Sequence, residues 1–255
     1  MASAYENSKA RTLARFLKRI NAGDDPELLR KEANQLLTNV DPNDIATAEQ
    51  KLINDGYSIQ LVQLLSATFM LMGIPQKHCA NPKTWLPNDH ILRIVMVEHD
   101  LIRYFLADLN NVVRNIGQMN CLSDVSFEFR KLAHLIEHLN AAKEHIEREE
   151  GVIFPYMRKH GRISLCSAMH NDHTNITTGI NKLIALTVSF GQLNLKQFKA
   201  ALIIGTRRLQ EMMMEHLSQE DTILFPIALV IIHDAEVWER MKAVCDQIGY
   251  CGVHT

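Results

Sequence analysis

The chain has 255 residues, 47% of them hydrophobic, and a net charge of only −2. That length suits one large or two small domains, and the balanced charge shows no basic stripe of the kind nucleic-acid binders carry, so no nucleic-acid partner is expected. Polar residues interrupt every apolar stretch well before membrane-spanning length, so no membrane partner is expected either.

In chain order, the opening MASAYENSKARTLARFLKRI reads as a basic amphipathic helix rather than a signal peptide, because no apolar run follows it. Asp25-Pro26 and Asp41-Pro42 each set a capping acid before a first-turn proline, which predicts helices over 26–38 and 42–54, the second ending before Gly56. Ser58 caps a further, apolar helix through QLVQLLSATFMLM to Gly73. Together these make an N-terminal helical subdomain over 1–73. Residues 74–89 hold three of the seven prolines and read as a connector. Four longer helices follow over roughly 90–116, 123–158, 163–189 and 194–231, so that 90–232 forms a four-helix up-down bundle. Residues 233–255 supply a C-terminal helix and tail. Strand signals are nearly absent, and the fold class is all-α.

A near-repeat falls on two of these helices, HIEREEGVIFP at 145–155 and HLSQEDTILFP at 216–226. His145 and Glu149 are four apart, as are His216 and Glu220, so each pair projects from one helix face. An imidazole and a carboxylate one turn apart can chelate a transition metal, and such pairs from several helices build metal sites inside bundles. Each copy has an upstream partner on the preceding helix, His99 in VEHDLIRYFL and His173 in HNDHTNITTGI. Around His99 the same face carries Leu92, Val95, Met96, Ile102 and Leu106; His216 sits among Leu209, Met212, Met213 and Ile223. Histidines buried in such company need partners. Two helical hairpins related by an approximate two-fold would point four histidines and two glutamates inward, a set that suits two ions bridged by both carboxylates.

These residues carry a resemblance. Residues 90–232 resemble the hemerythrin-like, His-His-Glu cation-binding bundles, and the four-His, two-Glu set is more similar to that of the iron–sulfur-cluster-repair di-iron proteins than to the five-His oxygen carriers. Residues 14–73 are similar to a helical domain of unknown function that precedes such bundles in prokaryotic proteins, and WERMKAVCDQIGYC is similar to the end of that family's bundle region. The repair proteins carry a paired-cysteine motif, whereas here a single Cys79 stands in the connector.

Other residues invite plainer readings. His170, three residues before His173, is a candidate additional ligand, matching the fifth imidazole of the oxygen carriers, or a polar residue near a helix N-terminus. His134 and His138 share a stripe with His145 but lie too far along the axis to join its metal; they read as solvated or core histidines, with lining an access channel or holding a separate ion as the alternatives. Glu98, Glu144, Asp172 and Glu215 each precede a ligand histidine; adjacent helix positions diverge by roughly 100°, so they are expected to face solvent, with a role across to a neighbouring helix left open. The methionines at 212–214 read as core and Cys166 as a structural thiol. The five cysteines, at 79, 121, 166, 245 and 251, form no Cys-x-x-Cys pair and read as free thiols of a reducing, cytoplasmic compartment.

Imidazole and carboxylate without thiolate favour iron or manganese over zinc, and the resemblance implies two iron ions, oxo- or hydroxo-bridged. Such a pair keeps coordination positions open to O2 or NO. Three readings stand at this stage: a protein that binds or senses O2 or NO, passing the signal to a protein partner through its N-terminal helices; a redox enzyme or iron-handling protein, for NO or peroxide reduction or iron–sulfur cluster repair; and a helical interaction module stapled by metal. Whether the chain turns over a substrate is left open among them.

Overall fold

The computed structural model describes residues 2–72 and 82–250, and among these every regular element is helical. The chain divides into two compact units, one built from residues 1–86, 153–169 and 220–238, the other from 87–152, 170–219 and 239–255. No helix among the described residues is long and apolar enough to cross a membrane.

The first unit opens with α1 (Ala2–Ala22), α2 (Pro26–Leu37), α3 (Pro42–Asn54) and α4 (Ile59–Met72). The expected caps are in place. Asp25 accepts from the backbone of Leu28, 3.4 Å away, and Ser58 from that of Leu61, 3.2 Å away. Asp41 accepts from the backbones of Asn43 and Asp44 while Asp44 answers Asp41, a reciprocal box that satisfies donors left open at a helix start. Gly56, with φ of 95°, lies just beyond α3 in a conformation that favours glycine. The apolar α4 lies at the centre of this unit. It packs against α1, α2, α3 and α11 (Phe225–Ile231), and Phe69 meets Phe16 edge-on at 5.5 Å. The first half of the expected connector, with Cys79, falls outside the described residues, as does Cys251; Pro82–Thr84 forms a single 3-10 turn.

The second unit holds most of the bundle. Its helices are α5 (Ile91–Gln118), α6 (Phe127–Asn140) followed by α7 (Ala142–Arg148), the bulk of α9 (Ile163–Val188), and α10 (Leu195–Gln219). Leu106, Leu109, Leu132, Leu135, Ile176, Ile180, Leu202 and Leu209 interlock in its buried core. Deleting one such side chain, as in Leu135→Ala, costs about 2–5 kcal/mol because the cavity only partly collapses. Gly179 and Gly205 allow side chains from the facing helix to come close. A Cβ on either would meet Leu209 or Leu183 at 3.1 and 3.0 Å.

The helices expected over 123–158 and 194–231 are each interrupted. The first begins only at Phe127, where Ser126 accepts from the backbone of Phe129. It then runs through α6, α7, a π turn at Glu149–Ile153 and α8 (Phe154–Lys159). The other passes from α10 through a π turn at Glu220–Leu224 into α11. The chain closes with α12 (Ala235–Ile248).

Candidate metal centre

Both π turns begin at the glutamate of a His-x-x-x-Glu pair. The Phe-Pro that ends each repeat accounts for their place. A proline inside an α-helix lacks its N–H and its ring crowds the carbonyl four residues back. The wider π turn relieves that crowding, and Pro155 and Pro226 then stand in the first turn of α8 and α11, where a missing N–H leaves no bond unmade. His145 lies in the last turn of α7 and His216 in that of α10, each one α-helical turn before its glutamate. His99 comes from α5 and His173 from α9.

All six side chains are buried. Their donor atoms fall into two overlapping groups, His99, His145, Glu149 and Glu220 in one, and Glu149, His173, His216 and Glu220 in the other, with the donors of each group all within 4.8 Å of one another. Nε2 of His99 and Nε2 of His145 face each other at 3.3 Å. The rings of His173 and His216 meet edge-on, 4.6 Å between centroids.

Acidic side chains orient the imidazoles. Nδ1 of His145 donates to Glu98, 3.2 Å away, which frees Nε2 to face the donor group. Glu98 in turn accepts from Arg148, a fully buried guanidinium that also donates to the carbonyl of Gly249 and lies over the ring of Tyr250 at 4.8 Å. Nδ1 of His173 donates to Glu150 at 2.7 Å, leaving its Nε2 3.2 Å from Glu149. Burial alone would raise the Glu150 carboxyl, but hydrogen bonds from His173 and His170 outweigh it and hold the group below its ordinary value. Asp172 lies 3.8 Å from Nδ1 of His216. Within each hairpin, then, the acid preceding the first histidine lies beside the second.

The donors fit a transition-metal ion. Both carboxylate oxygens of Glu149 are buried and accept no hydrogen bond, although Oε2 lies 3.2 Å from Nε2 of His173 and 3.6 Å from Nε2 of His145. Leaving a carboxylate so is costly. A cation among these atoms would turn each close approach into a ligand bond, and imidazole nitrogen with carboxylate oxygen is a donor set for first-row metals.

The remaining candidates are placed as follows. His170 belongs to neither donor group; it is mostly exposed and meets Glu150 at 2.8 Å. His134 and His138 face each other near the surface, Nε2 to Nε2 at 3.0 Å, with His138 stacked on Phe105. Glu215 is exposed, and Glu144 and Asp172 are half-buried. Glu98 departs from the expected solvent-facing position: it is buried, because the charge of Arg148 and the N–H of His145 meet it there. Met213 is core and Met214 exposed. Cys166 is a buried thiol facing the carbonyl of Phe154, and burial pushes it up to about 12. Arg148, Glu150 and Tyr250 went unnoticed in the sequence. Arg148 alone carried a signal, since it lies three residues after His145 on the same face.

A helical bundle that buries two overlapping groups of imidazoles and carboxylates is a metal-binding helical protein. Residues 90–228 match the Hemerythrin HHE cation binding domain, and the chain belongs to that family. Residues 13–68 match a family of unknown function, DUF438. Compared with curated proteins, the chain finds no match.

Proposed function

We propose that the chain is a non-haem di-iron protein that binds or senses a small diatomic ligand, O2 or NO. One observation carries this reading: both donor groups contain both carboxylates, Glu149 and Glu220, while each has its own two histidines. In this reading His99 and His145 would hold one ion and His173 and His216 the other, with Glu149 and Glu220 within reach of both. Two shared carboxylates and no thiolate favour iron over zinc. When bound, the ions supply redox capacity and coordination positions that the protein leaves open.

The chain's own residues do the rest. Glu98 and Glu150 hold the Nδ1 protons of His145 and His173, fixing the ring orientation and raising ligand basicity. A cavity of about 140 Å³ beside His216, lined by Asp172, Asn175, Met212, Glu215 and Gln219, supports entry of a small molecule. The described cysteines are all free, as a reducing cytoplasm would keep them. The N-terminal helices pass the signal to a protein partner.

The test is metal analysis of anaerobically purified protein, with optical spectra before and after O2 and then NO. About two irons per chain, with new bands after either gas, are expected of a two-metal site. One zinc or no metal, and no response in an iron-reconstituted sample, overturns the reading and leaves a helical interaction module. Sustained gas consumption with an electron donor moves it to a redox enzyme.

A further inference from the structure

Away from these donors, the first unit buries a second charge whose hydrogen bonds are incomplete. Arg162 immediately precedes α9 and is only 6% exposed. Its Nε and Nη1 meet no hydrogen-bond acceptor, and Nη2 reaches only the sulfur of Met70, 3.2 Å away, a weak acceptor. Burial pushes the guanidinium down to about 10, and the negative field of Glu49 acts against that shift without closing an ion pair. Buried guanidinium donors left open in this way are rare in folded proteins.

Arg162 lines two cavities, both built from the first unit. The smaller, about 10 Å³, lies among Glu49, Gln63 and Ser66. It has room for one water, enough for one of the open donors. The larger is about 440 Å³ and open to solvent. Asn34, Thr38, His160 and His233 give it polar walls, and Leu37 and Ile231 belong to its apolar side. Nδ1 of His160 donates to the carbonyl of Tyr156, so its other nitrogen is the one left for a ligand. Asp41 is the carboxylate on this wall, and its Oδ1 is held by the backbone N–H groups at the start of α3. The peptide dipoles of α9 add positive potential at the end where Arg162 stands.

We propose that this larger cavity binds a small organic or inorganic anion, a carboxylate or a phosphate, whose oxygens take the open donors of Arg162. Such oxygens match a guanidinium in charge and in geometry. The apolar side favours a ligand with a short hydrocarbon body. The chain thereby has a ligand site in its N-terminal unit that is independent of metal.

The experiment is calorimetric and thermal titration of the full chain, metal-free and metal-loaded, with sodium butyrate, sodium succinate and sodium phosphate at constant ionic strength. At least one is expected to bind saturably in both forms and to raise the unfolding midpoint, as a ligand specific for the folded state must. Butyrate or succinate binding best identifies a carboxylate ligand; phosphate binding best identifies a phosphate. Arg162→Gln is expected to weaken binding at least tenfold. Thr38→Trp, an exposed position that would fill the cavity while leaving Arg162 untouched, tests the same claim if the first variant fails to fold. Absence of saturable binding by all three anions overturns the proposal. Binding that survives in a folded Arg162→Gln or in Thr38→Trp overturns it too, as does binding confined to the metal-loaded form, which would belong to the metal.

Discussion

Glu98 is next to His99 in the sequence but serves His145 on another helix, accepting from its Nδ1 over 3.2 Å. The same carboxylate meets the buried guanidinium of Arg148. Glu98→Ala is therefore expected to act twice. Losing the acceptor behind a ligand histidine should weaken metal binding by about ten- to a hundredfold. Leaving Arg148 without its anion should cost the metal-free fold about 3–5 kcal/mol. Chelator competition reads the first effect and urea unfolding of apoprotein the second. Wild-type metal affinity in the variant would remove Glu98 from the centre.

Replacing Glu149 should change stability with opposite signs in the two forms. Its carboxylate is buried and accepts no hydrogen bond, so Glu149→Leu should stabilise apoprotein by about 1–3 kcal/mol, the usual penalty of an unsatisfied buried group. The same change should lower metal content and abolish the stabilisation that metal gives. Paired melting curves with and without iron test this. Combined with Glu220→Ala, unchanged metal stoichiometry would exclude bridging by these carboxylates.

His170 and His173 separate a four-histidine from a five-histidine centre. His170 lies outside both donor groups, on Glu150. His170→Ala should leave metal content unchanged, whereas His173→Ala should lose at least one ion. Elemental analysis of both variants decides, and metal loss from His170→Ala would bring that imidazole into the centre.

The thiols should differ sharply in reactivity. Cys121 is exposed, while burial pushes Cys166 up to about 12 and Cys245 to about 11. Thiolate is the reactive form, so iodoacetamide at pH 8 should label Cys121 in native protein and reach Cys166 and Cys245 only after denaturation. Peptide mapping reads each site. The same shifts set a pH dependence. The unfolded chain loses these protons near the ordinary value of 9.0 while the folded chain keeps them. The stability they contribute is thus full below pH 9 and lost as pH rises towards about 12. Alkaline urea melts of wild type and Cys166→Ser check it.

The clustering of these six side chains was legible because they repeat. A four-residue step is a local rule of helices, and two copies with matching upstream histidines point to one cluster without any knowledge of packing. What surrounds them was not legible in this way. Glu98 was expected in solvent because adjacent helix positions diverge, but its place is fixed by Arg148 and His145, far along the chain. Glu150 meets two histidines on α9 that no periodicity connects to it. The caps at Asp25, Asp41 and Ser58 were legible as local chemistry. The breaks in the second and fourth bundle helices were not, since the apolar pattern runs on through Phe154-Pro155 and Phe225-Pro226.

Those breaks put each half of the bundle into two helical frames. A π turn adds one residue to an α-helical path, so positions beyond it are rotated from where an unbroken helix would carry them, by about 100° for each added residue. Up to Glu149 and Glu220 the frame is the one that gathers the buried imidazoles and carboxylates. Beyond them it is set by Ile153, Phe154, Leu224 and Phe225, all buried without remainder. The extra residue lets one length of chain keep both appointments. Without it, aligning the glutamates would turn the aliphatic and aromatic side chains after them out of phase with the core.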